Sequence, residues 1–111
     1  MRHRRRRGAE ARAVAGLWAE WRPPAAPDGE ALRTCAIVTC APNALMARYH
    51  HRMPVILAPE AEGAWLDPRM EDPAGLLPLL APYPADPMTA YPVSPAVNSP
   101  ANDSPQLVLP L

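Results

Sequence analysis

Two histidines and an arginine stand together in one short stretch, His50-His51-Arg52-Met53-Pro54, which runs straight into the apolar Val55-Ile56-Leu57. Imidazole takes up and releases a proton near neutrality, and two of the three histidines stand here. Arg52 adds a fork of donors matched to phosphate or carboxylate oxygens. Pro54 fixes φ and removes an amide donor at the mouth of a strand-like run. Side chains alternate along extended backbone, so His50 and Arg52 are expected on one face and His51 on the other. The pair reads as a proton carrier beside an anion grip. The competing reading is a hydrogen-bonded histidine beside a solvated arginine, because spacing fixes no partner acid or nucleophile.

Cys35 and Cys40 are the only cysteines. On one extended segment they would lie about 17 Å apart on opposite faces, so a disulfide between them is not expected. A metal site drawn from Cys35, Cys40, His50 and His51 lacks the usual zinc ligand spacing. No metal and no other cofactor is expected.

These residues must be positioned by a single domain, since 111 residues suffice for one and not for two. Pro and Gly together supply 22 positions (17 and 5), which argues against long uninterrupted helices. The net charge of zero hides an asymmetry: residues 1–22 hold seven arginines against Glu10 and Glu20, and the remainder holds four against nine acids. A basic arm, including Arg4-Arg5-Arg6-Arg7, is expected rather than a uniformly basic surface. No apolar run reaches the length of a membrane span. The short apolar stretch Ala13 to Ala19 is flanked by charges, unlike a signal peptide, so a cytoplasmic protein is expected, and the absence of lysine with heavy use of alanine and proline points to a GC-rich bacterial genome.

Strand texture appears at residues 13–21, with Val14, Leu17, Trp18 and Trp21, and ends at Arg22-Pro23-Pro24. Residues 33–39 are the best strand, β-branched at Thr34, Ile37, Val38 and Thr39. Pro42 and Asn43 open a helix-compatible piece, Ala44 to Tyr49, that delivers the chain to His50. A strand follows at 53–57. Helices are expected near 59–66 and, after Asp72-Pro73, near 72–80, where Pro78 must strain or shorten the second. A last strand-like run covers 90–93.

The ordered set of motifs resembles the C-terminal half of the SOS response-associated peptidase (SRAP) family over about residues 13–111. It comprises Ala15-Gly16-Leu17-Trp18 with Trp21, Thr34 through Thr39, Asn43-Ala44-Leu45-Met46, His50 through Leu57, Trp65-Leu66-Asp67, Tyr91-Pro92-Val93-Ser94 and Val97-Asn98 through Asn102-Asp103. Residues 1–12 fit poorly. The resemblance implies an α+β fold of twisted, mostly antiparallel sheets forming a partly closed barrel-like core with short peripheral helices. It further implies recognition of abasic sites in single-stranded DNA and a covalent thiazolidine crosslink through an N-terminal cysteine, with self-processing peptidase activity at that residue. His50 falls on the family histidine that helps open the deoxyribose ring, and Arg52 and Thr39 fall on contacts to the DNA backbone. Position 2 is Arg2 rather than cysteine, and the nucleophile, an asparagine and a glutamate are expected in the first half of the family fold. The chain is therefore expected to be a truncated member, inactive alone and monomeric. The alternatives are a non-catalytic single-stranded DNA-binding remnant and a small structural or metal-binding protein.

Overall fold

The computed structural model describes residues 11–111. The arginine run expected to form a basic arm lies outside them. Three extended segments meet, and each changes partner part-way along. The first comprises β1 (Ala13–Val14) and β2 (Gly16–Trp21), the second β3 (Leu32–Ile37) and β4 (Thr39–Cys40), and the third β5 (Met53–Pro54) and β6 (Ile56–Leu57). Every pairing is antiparallel: β1 with β6, β2 with β3, and β4 with β5.

The switch points are single residues, Ala15, Val38 and Val55, and their backbones close a triangle. Ala15 N–H donates to Val55 O at 2.8 Å, Val55 N–H to Val38 O at 2.9 Å, and Val38 N–H to Ala15 O at 3.0 Å. The junction thereby satisfies one donor and one acceptor on each strand where ladder pairing breaks off. Small or β-branched side chains fit the crowded centre, and Ala15 and Val55 are fully buried there with Met53, Leu57 and Cys40. Val38, Met46, Ile56, Trp65, Leu79, Leu80, Tyr83 and Met88 pack around this nucleus.

Helix α1 (Pro59–Leu66) starts on a proline, as a first-turn proline allows, and Trp65 Nε1 donates to Gly16 O at 3.3 Å to pin it to the hairpin base. Helix α2 (Pro73–Leu76) is capped by the Asp72 carboxylate and passes into a 3₁₀ turn at Leu77–Leu79, the shortening expected from Pro78.

The small antiparallel sheets and short helices agree with an α+β chain. The barrel-like closure does not appear among the described residues, because each segment spends its pairing on the junction and the β2–β3 hairpin projects with free outer edges. Residues 13–21 and 33–39 are interrupted at Ala15 and Val38 for the same reason. The strand expected near 90–93 is reduced to a single bridge, Val93 to Pro110. Both flanking partners there are prolines or 3₁₀ turns, which cannot sustain a ladder. Cys35 is exposed, Cys40 is buried, and both thiols are free.

One local feature gives a direct pH test. Arg69 grips the Asp67 carboxylate through Nε at 3.1 Å and Nη2 at 3.2 Å, and its backbone N–H adds a third bond at 3.0 Å. The side-chain bonds first, then the backbone bond, hold the Asp67 pKa below the ordinary carboxylate value. A depressed folded pKa contributes stability that is present above the unfolded pKa and lost as pH falls through the folded one. Arg69 is exposed and Asp67 only partly buried, so the expected contribution is small. Carbon-detected NMR titration should place the Asp67 midpoint below that of a free aspartate, and Arg69→Ala should move it upward. An unchanged midpoint in the variant would show that the ion pair does not persist in solution.

Candidate functional site

Antiparallel register brings two of the expected site residues together. Thr39 lies opposite Pro54 in the β4–β5 pair, so the residue two positions before Pro54 reaches back across the edge of β4. Arg52 donates from Nη2 to Thr39 O at 2.9 Å and to Thr39 Oγ1 at 3.0 Å, and from Nε to the same hydroxyl at 3.2 Å. One side of the guanidinium is committed to Thr39. Nη1 has no hydrogen-bond partner among the described residues, and Arg52 is exposed.

His50 joins the group through the backbone of Arg52. Its Nδ1 lies 2.9 Å from Arg52 N and 3.0 Å from Arg52 O. With the ring proton on Nε2, Nδ1 accepts from the Arg52 N–H. With a proton on Nδ1, it donates to the Arg52 carbonyl. One ring orientation therefore satisfies Nδ1 in every protonation state, and Nε2 has no hydrogen-bond partner among the described residues. That is the arrangement required of a group that passes protons outward without turning over.

The approach to His50 is built by a 3₁₀ turn at Met46–Arg48, whose Met46 carbonyl accepts from both Tyr49 N–H and His50 N–H at 2.9 Å. Asn43 fixes this turn. Its Oδ1 accepts from Met46 N–H at 2.9 Å, its Nδ2 donates to Tyr83 O at 2.7 Å, and its own N–H points at Met53 Sδ, 3.3 Å away. In the sequence Asn43 reads only as a helix opener. Its capping role was legible there, whereas the tie to Tyr83, forty positions on, was not.

The expected orientation of His51 is overturned. The rings of His50 and His51 stack with centroids 4.5 Å apart and planes inclined by 18°. Alternation applies to extended backbone, and residues 49–51 form the bend leaving the 3₁₀ turn, with strand geometry beginning only at Met53. Arg48 lies over the Tyr49 ring at 5.9 Å on the same rim. His50, His51, Arg52 and Thr39 are exposed, and the clefts by Trp18 and by Trp65 include none of them. The group is an open edge rather than an enclosed pocket. No cluster of three or more His, Cys, Asp or Glu that could hold a metal occurs among the described residues.

The family model for SOS response associated peptidase (SRAP) matches residues 2–100. The abasic site processing protein YoqW of Bacillus subtilis is 52% identical over 96 residues, covering 86% of this chain and 42% of that protein. The abasic site processing protein HMCES of Gallus gallus is 36% identical over 99 residues, covering 88% of this chain and 28% of that one. A crystal structure of a protein from Bacteroides thetaiotaomicron, 31% identical, superposes with a TM-score of 0.73 over 88% of this chain and 42% of that chain. The chain thus spans about two fifths of the length of the bacterial relatives it matches. No helix among the described residues is long and apolar enough to cross a membrane.

Proposed function

Since the chain belongs to the SRAP family, we propose that it serves the DNA-damage response at abasic sites in single-stranded DNA, contributing the proton-transfer and backbone-gripping part of a covalent crosslinking centre. The observation that carries this reading is the chain of bonds from Thr39 through Arg52 to His50.

Each residue has a distinct task. As imidazolium, His50 directs Nε2–H outward while Nδ1–H rests on the Arg52 carbonyl. Giving the Nε2 proton to the ring oxygen of the abasic deoxyribose helps the hemiacetal open to the aldehyde. The neutral ring left behind presents the Nε2 lone pair as the base that takes up, through water, the proton the anomeric hydroxyl loses as the aldehyde forms, with Nδ1–H still satisfied. Arg52 meets a phosphate through its Nη1 edge, and its other side is braced on Thr39, so the grip is preorganised. Aldehyde capture and thiazolidine closure belong to the family's N-terminal cysteine, in the part of the relatives outside the region shared with this chain. The 111 residues alone accordingly form no crosslink, and act as a monomer without a cofactor. The open edge suits a strand of nucleic acid laid along it better than a small molecule, which needs a concave pocket.

Fluorescence anisotropy with abasic and intact single-stranded oligonucleotides tests the reading. Weak binding that falls steeply with salt is expected, because Arg contacts release condensed counterions. Arg52→Ala should weaken it and lower the salt slope by about one. Binding indifferent to salt, or equal in the variant, would remove Arg52 and Thr39 from the DNA interface. Denaturing gels of the same mixtures separate this reading from a chain that crosslinks unaided.

A further inference from the structure

The β2–β3 hairpin is the part of the molecule that its own fold leaves unexplained. Its register and the alternation of strand side chains place Trp18, Ile37 and the Glu20–Arg33 ion pair on one face, and Leu17, Trp21 and Leu32 on the other. All twelve strand residues are exposed, Trp18 to 71% and Ile37 to 66%. The five large apolar side chains are each more than half exposed, two on one face and three on the other, where an ordinary surface scatters such groups singly. A two-stranded ribbon is marginal in water unless a face is packed or a strand is added to it. Apolar groups on both faces mark a ribbon meant for the interior of a larger sheet layer.

The occupant follows from the remaining observations. A second copy meeting the hairpin by a two-fold axis covers one face and leaves the other open. A nucleic acid is disfavoured because Glu20 neutralises Arg33 and no other strand residue is cationic. The matched relatives, however, carry more than half their length outside the region shared with this chain. We infer that the β2–β3 hairpin is a docking surface for a polypeptide with the make-up of the remainder of an SRAP domain, which packs both faces and pairs the free strand edges. This goes beyond the abasic-site reading and does not depend on it. A complex that forms yet never crosslinks DNA would count against the chemistry and leave the docking intact.

The test co-expresses the full 111-residue chain with the part of B. subtilis YoqW outside the 96 matched residues. A stoichiometric complex is expected, with tryptophan emission shifted to the blue as Trp18 and Trp21 leave water. Leu17→Ser with Trp21→Ser should weaken capture at least tenfold. Neither residue belongs to the buried cluster, so an unchanged circular dichroism spectrum shows that folding survives. Leu111→Ser, at an exposed site outside both clefts beside the hairpin, should capture normally. Three outcomes would overturn the inference: no complex, capture indifferent to the hairpin variant, or a blue shift arising instead from self-association or from added single-stranded DNA.

Discussion

In a protein completed with the remainder of a family-length domain, His50→Ala should slow crosslinking to abasic single-stranded DNA by roughly 100-fold to 10,000-fold, the usual worth of a positioned acid–base group. Affinity for intact DNA should change little, because the backbone grip rests on Thr39 and Arg52. The measurement is a single-turnover time course of crosslink formation, with reversal followed after trapping. His51→Ala should cost far less. An aromatic stack contributes about 0.5–1.5 kcal/mol, so loosening the His50 ring lowers the rate by at most about tenfold. His51→Phe retains the stacking partner and should recover most of that loss. Rates indifferent to His50→Ala would return His50 to the role of a hydrogen-bonded structural histidine.

Met53→Ala should destabilise the fold by about 2–5 kcal/mol, the range for emptying a buried methionine site. Met53 is the largest fully buried side chain together with Val55, and a five-residue nucleus has little with which to refill the space. The same substitution removes the sulfur to which Asn43 N–H points. Since Asn43 holds the turn that carries His50, DNA-directed chemistry should fall along with stability. Met53→Leu conserves volume and should cost under about 1.5 kcal/mol. Leu66→Ala, at an exposed position, should stay within about 0.5 kcal/mol. Urea denaturation of the three variants settles the order. A Met53→Ala change no larger than Leu66→Ala would mean that the junction is not the centre of stability.

Local pattern was enough for the elements that depend on local physics. β-branched residues marked the strand around Thr34 to Thr39, prolines marked the starts of α1 and α2, and Pro78 marked where the second helix had to tighten. The pairing of His50 with Arg52 was also legible, although for an incomplete reason. Alternation predicted a shared face, whereas the actual link is a backbone bond from Arg52 into the His50 ring. The same rule failed for His51 because a bend, not a strand, carries it. At residues 90–93 strand propensity lost to proline, which supplies no donor for a ladder.

By itself the sequence determined the chemical inventory, the coarse order of elements and the ordered motifs that mark the family, because these rest on side-chain type and on neighbours a few positions away. Only the tertiary structure decided which edges meet. The triangle of Ala15, Val38 and Val55 joins positions 17 to 40 residues apart, and nothing in a strand's own pattern says where it will abandon one partner for another. That choice sets the Thr39–Pro54 register, puts the Arg52 guanidinium on Thr39, and so fixes where the His50 ring stands. It also leaves the β2–β3 hairpin bare on both faces, since alternation fixes which side chains share a face but not whether that face is covered.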